Sequence, residues 1–191
     1  MKSILLSIKP EWLAKILNGE KTIEVRKLFP KDYVGWVYLY CSKDKKNYLY
    51  WDWYDPPYVE KEWFVSKNPE IWADDRKNIN GSFNGKVVAR FWCDKVEELF
   101  WDTNTIDENS KGIHWIADED FEKTCLTYEE YENYLEEGKS GVAIHISKLE
   151  IFDRPRELRE FWNCGKQVRK GVFNYSIIHK APQNYCYIEG E

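Results

Sequence analysis

The sequence predicts an α+β domain built on a mixed or antiparallel β-barrel with short flanking helices and two insertions. Three observations carry this. Segments with the period of two expected of strands recur from Lys2 to Ile188. Only a few segments carry helical spacing, and they are short. Turn-forming residues separate the strands closely, as all-β and α+β barrels require.

Lys2 to Ile8 reads as the first strand. Lys9, placed before Pro10, is biased to extended geometry and sits where strand meets helix. The helix covers residues 10 to 18: Pro10 suits its first position, where a missing N–H costs nothing, and Trp12, Leu13, Ile16 and Leu17 recur with helical spacing. Gly19 stops it. Ile23 and Val25 then alternate with Thr22, Glu24 and Arg26 in a strand over about 21–27, with Glu24 and Arg26 on the face opposite the core. Tyr33 to Cys41 is apolar on both faces and so central. Lys86 to Asp94 is another strand.

Residues 42–85 differ in texture and read as an aromatic-rich insertion. Leu49, Trp51 and Trp53 share a strand face, and Pro56-Pro57 ends the run. A second, less regular insertion spans about 96–126. Thr127 to Glu130 has capping-box form and opens a helix carrying Tyr128, Tyr131 and Leu135 before Gly138. Val142, Ile144 and Ile146 begin a strand running through Ile151, followed by a short helix bearing Leu158 and Phe161. Asn184 to Ile188 is the last strand.

Composition narrows the class. The 191 residues fit one domain, 1–191, with its insertions, and 43% hydrophobic against 32% charged residues is a globular balance. The apolar run near the N-terminus is too short for a signal peptide, so a cytoplasmic location and no membrane partner are expected. Five scattered cysteines without a CxxC pair argue for reduced thiols rather than disulfides or a zinc knuckle. A net charge of −5 excludes broad coating of a nucleic-acid backbone, so any nucleic acid would be held locally. Aromatic residues reach 17%, enough to build a core or to line a recognition surface.

The segment Ser7-Ile8-Lys9-Pro10 through Gly19-Glu20-Lys21-Thr22-Ile23-Glu24-Val25-Arg26 resembles the opening signature of the ASCH domain family, within the PUA-like superfamily. Gly85 to Phe91, His145 to Leu158 and Ala181 to Tyr187 are similar to segments of a bacterial or phage subgroup of that family. The resemblance implies a PUA-like barrel that binds RNA or a modified nucleotide or base in a cleft between the first helix and the barrel. Small bacterial members are amidohydrolases that deacylate acetylated cytidine. The resemblance makes Lys21 the counterpart of their catalytic lysine, whereas Glu24 stands where they carry threonine. That difference moves the expectation from hydrolysis to recognition.

The candidate ligand-binding residues are therefore Lys9, Lys21, Glu24 and Arg26, with Lys21 and Glu24 catalytic only if the chain is an amidohydrolase of acylated nucleosides. Lys9 stands at a helix N-terminus, where an anion is favoured. A carboxylate beside a guanidinium can read the donor and acceptor edges of a base. Roughly nine helical residues put Lys9 and Lys21 about 13 Å apart, the span of a nucleotide. A third class is a protein-interaction module whose aromatic insertion docks a partner. Lys43, Lys45 and Lys46 read as a solvated turn, and Arg154, Arg156 and Arg159 as weaker phosphate candidates. His145 reads as a structural strand residue, and His114 and His179 lack partners at metal-ligand spacing, so neither a metal nor another cofactor is expected.

Overall fold

The computed structural model describes residues 2–53, 61–67, 82–106, 112–170 and 172–190. In chain order these form β1 (Lys2–Ile8), α1 (Pro10–Leu17), β2 (Ile23–Arg26), β3 (Gly35–Cys41), β4 (Tyr48–Trp53), β5 (Lys61–Ser66), β6 (Val87–Leu99), β7 (Trp101–Ile106) and β8 (Gly112–His114). There follow α2 (Asp118–Glu122), α3 (Tyr128–Leu135), β9 (Gly141–Arg156), a 3₁₀ turn (Leu158–Glu160), β10 (Lys166–Arg169), β11 (Val172–Asn174) and β12 (Tyr185–Glu189).

Six strands form one mixed sheet in the order β12-β1-β3-β6-β9-β2. β1 runs antiparallel to β12 and parallel to β3, while β2 runs antiparallel to β9. The α+β class and the mixed sheet are as the sequence predicts, but closure is not. Among the described residues the pairing order does not return from β2 to β12, so the sheet is open rather than a closed barrel. No helix of the described residues is long and apolar enough to cross a membrane.

The chain divides into two compact units. The first comprises Met1–Asn18, Trp36–Phe91 and Leu149–Glu191; the second comprises Gly19–Gly35 and Trp92–Lys148.

In the first unit, α1 forms as its sequence dictates. Lys9 is the extended N-cap residue and its carbonyl accepts from Leu13 N–H at 2.9 Å. Pro10, Leu13, Ala14, Ile16 and Leu17 are buried along one face. Gly19, just past the end, has φ +77°, a conformation that L side chains rarely adopt. The unit's core is Leu5, Tyr38, Tyr40, Val87, Phe161, Ile178 and Ile188. Beside it the β4–β5 hairpin builds a smaller aromatic cluster, with Trp51 stacked on Trp63 at 6.0 Å and Phe83 edge-on to Trp63 at 5.0 Å. Pro56-Pro57 and residues 68–81 of the expected insertion lie outside the described residues.

In the second unit, Thr127 and Glu130 complete the expected capping box at the start of α3. α3 lays Tyr131 and Leu135 onto Ile23, Val25, Leu99 and Ala143. The fit is close at Gly141: a Cβ there would stand 2.4 Å from the Leu135 side chain and 3.2 Å from the Arg26 carbonyl. The stretch 96–126, expected to be irregular, contains the end of β6, then β7, β8 and α2. All five cysteines are free thiols.

Candidate functional site

The turn after α1 delivers Lys21 into the interior of the second unit. Thr22 N–H and Ile23 N–H both donate to the Lys123 carbonyl, at 3.1 and 3.2 Å, and Ile146 N–H donates to the Thr22 carbonyl at 2.9 Å. These bonds fix the backbone on both sides of the lysine, whose side chain is only 2% exposed. A buried ammonium needs partners. Nζ donates to the Thr124 carbonyl and lies 3.4 Å from Glu24 Oε2. Burial pushes the Lys21 pKa below its ordinary 10.5, and the Glu24 carboxylate offsets part of that shift.

Glu24 also pairs with Arg26, whose Nε stands 3.0 Å from Oε1. Side-chain exposure rises along the row, 2% at Lys21, 8% at Glu24 and 14% at Arg26. Two cations thus share one carboxylate in a weakly hydrated setting. The sequence places Glu24 and Arg26 on the strand face opposite the core, and on that face Glu24 is nonetheless buried. The reason is that β2 is packed on both faces, with Ile23 and Val25 in the α3 cluster and Glu24 among its own charged partners.

The structure therefore brings Lys21, Glu24 and Arg26 together. Lys9 belongs to the first unit, where it is exposed at the N-terminus of α1. Thr124, which holds Lys21, was not foreseeable: it lies 103 residues away and acts through its backbone.

Other sequence candidates have local partners. In the 43–46 turn, Asp44 Oδ1 accepts from Lys46 N–H at 2.7 Å and Asn47 N–H at 3.3 Å, an Asx turn. Asn84 braces it by donating to the Asp44 and Asn47 carbonyls. In the first unit, Arg90, Glu150, Asp153, Arg154 and Arg156 line an open cleft of about 550 Å³. Its arginines are matched by acids: Arg90 with Glu150 at 2.7 Å, and Arg154 and Arg156 with Glu160 at 3.5 and 3.6 Å. Arg90 also lies 4.3 Å from the Trp36 ring centroid, a cation–π contact.

The histidines separate clearly. His114 is buried, with Nδ1 2.7 Å from Glu132 Oε2 and Nε2 2.8 Å from the Lys139 carbonyl. His179 is exposed. His145 is half-buried, with Nε2 3.3 Å from Glu97 Oε2.

No family profile matches the chain, and neither does any curated protein sequence. Solved structures do match. The ASCH protein from Zymomonas mobilis superimposes with a TM-score of 0.54 at 14% identity, over 98% of this chain and 87% of that one. A serine-to-alanine variant of the same protein gives 0.53 at 14% identity over 98% and 88%, and a tyrosine-to-phenylalanine variant 0.53 at 14% over 99% and 91%. At 14% identity the likeness is one of fold, and the fold this chain adopts is that of the ASCH proteins.

Proposed function

We propose that this chain binds RNA, or a modified nucleotide or base, through Arg26, with Glu24 and Lys21 as the buried charges that hold the guanidinium in place. The observation that carries this reading is the graded row itself: the outermost cation is ion-paired with a carboxylate that is ion-paired in turn with a buried lysine. A planar guanidinium held in one orientation suits phosphate oxygens and the acceptor edges of bases better than a mobile one. The ASCH fold agrees with this reading at the level of architecture.

The test is a titration of the protein with nucleosides, nucleotides and short oligonucleotides, read by thermal shift, because a ligand that binds only the folded state raises stability by mass action. Arg26→Gln is expected to cut affinity for the best ligand by about tenfold or more, the loss of one charge-assisted contact. Its own thermal midpoint stays close to the wild type. Unchanged affinity with a large loss of stability would make the row a structural ion cluster and nothing more.

A second reading has one observation in its favour. Hydrolysis of an acylated nucleoside needs a desolvated lysine of lowered pKa, and burial lowers the Lys21 pKa. In that case Lys21 and Glu24 carry the chemistry, and the protein turns over acetylated cytidine. Absence of turnover by the wild type removes this reading while leaving binding intact. The interaction-module reading needs an exposed apolar patch over residues 48–64, of which Leu49, Tyr50 and Trp63 are buried.

A further inference from the structure

Glu97, Asp120 and His145 come from three different elements of the second unit, β6, α2 and β9, and each offers one ligand atom within 4.8 Å of the other two. We propose that these three side chains form a binding site for a divalent first-row transition ion of the Mn²⁺ or Zn²⁺ type.

The donor set is two carboxylates and an imidazole, the mixture that suits such ions rather than Ca²⁺, which takes oxygen alone. The spacing agrees. Glu97 Oε2 and His145 Nε2 stand 3.3 Å apart. Two ligands bonded to one ion at about 2.0–2.2 Å, at a tetrahedral angle, stand about 3.4 Å from each other. Side-chain exposures of 27% for Glu97, 16% for Asp120 and 21% for His145 leave the donors sheltered yet reachable.

A second observation points to the same place. The Tyr131 hydroxyl of the same unit is fully buried and has no hydrogen-bond partner among the described residues; its pKa is raised by burial above all, and then by the charges of Glu132, Tyr128 and Glu97. A hydrated ion held by Glu97 would bring polar groups to a neighbourhood that contains an unsatisfied phenol.

Two ammonium groups compete for the carboxylates. Lys95 Nζ is 2.7 Å from Glu97 Oε2, and Lys123 Nζ is 2.8 Å from Asp120 Oδ1. Both lysines are about half exposed, so each can swing into solvent when an ion arrives. This competition gives the site a distinguishing signature: loss of a neighbouring lysine strengthens metal binding, whereas loss of a ligand weakens it.

The experiment titrates metal-stripped, reduced full-length protein with Mn²⁺ and follows the disappearance of the free-ion electron paramagnetic resonance signal. Mn²⁺ is the probe because the free thiols compete for Zn²⁺. Expected is saturable binding of one ion per chain, weakened about tenfold or more in His145→Ala, Glu97→Gln and Asp120→Asn. Binding tightens severalfold in Lys95→Met, a variant that keeps all three ligands and so remains informative if a ligand variant folds poorly. Circular dichroism of each variant without metal identifies any that is unfolded. The proposal is overturned if the wild type shows no saturable binding, if folded ligand variants bind as the wild type does, or if Lys95→Met weakens binding.

Discussion

Asn18 and Trp63 exchange two hydrogen bonds of 2.9 Å: Asn18 Nδ2 donates to the Trp63 carbonyl, and Trp63 N–H donates to Asn18 Oδ1. The carboxamide acts as a one-residue substitute for a neighbouring strand, joining the end of α1 to β5. Replacing Asn18 with Ala leaves both Trp63 backbone groups without these partners, at a cost of about 1–3 kcal/mol. At about 2–4 °C per kcal/mol for a chain of this size, the thermal midpoint falls measurably. Asn18→Asp keeps the acceptor and loses the donor, so it should fall between the two; a midpoint equal to that of the wild type would show that water replaces the carboxamide without loss.

The lowered pKa of Lys21 makes stability depend on alkaline pH in a definite direction. Between the lowered folded-state value and the unfolded 10.5, the unfolded chain carries a proton that the folded chain has released. Stability therefore rises with pH through that window. Lys21→Met lacks this term and costs about 1–3 kcal/mol through the loss of the Thr124 and Glu24 contacts. Urea denaturation across the alkaline range should show the wild type gaining on the variant as pH climbs. A difference that shrinks instead would mean that Glu24 holds the ammonium protonated.

His114 ties β8 to α3 and to the turn beyond it, because its ring bonds Glu132 and the Lys139 carbonyl while its backbone N–H donates to Glu132 Oε1 at 2.9 Å. His114→Phe fills the space but satisfies neither acceptor. A loss of about 2 kcal/mol or more is expected in denaturant melts. Glutamine, which can replace one of the two ring bonds, should recover part of it.

At the end of α3 the Glu136 carboxylate takes hydrogen bonds from Lys139 and Lys27, which lower its pKa from 4.5 to about 2. Its stabilising contribution is complete above 4.5 and disappears as pH falls through about 2. Glu136→Gln therefore differs from the wild type at neutral pH and converges with it in strong acid. The pairs are exposed, so high salt should also close the gap; a salt-independent difference would point to packing.

Local chemistry was legible in the sequence and long-range convergence was not. Pro10, Gly19 and the Thr127–Glu130 box mark helix ends through backbone rules that act within four residues, and the structure places α1 and α3 where they indicate. Alternation likewise revealed β1, β3, β6 and β9, although β6 runs on to Leu99 and β9 to Arg156, beyond the reach of a regular apolar pattern. Nothing in the spacing of Lys21 betrays its burial, because that depends on a carbonyl at Thr124 and on packing around β2. Charge at a position ordinarily signals solvent, and here it signals a partner. Glu97, Asp120 and His145 are likewise separated by more than twenty residues each and meet only through the pairing of strands and the placement of α2. The difference between an open and a closed sheet is of the same kind, since the alternation of side chains is identical in both.

The last strand in the sheet order has a further consequence for how the protein behaves in a crowded solution. A terminal strand is a template on which another chain can grow. β2 is only four residues long, the Lys123 carbonyl occupies the amide of Ile23, and two of its four side chains are an acid and a base locked to each other. Such a strand gives an incoming chain little length to register against and obliges it to lie beside charge. Replacing both Glu24 and Arg26 with valine would make all four residues of β2 apolar and take away the carboxylate beside the buried Lys21. That variant should be recovered in inclusion bodies where the wild type is not, a phenotype that any screen of the charged row must separate from loss of ligand binding.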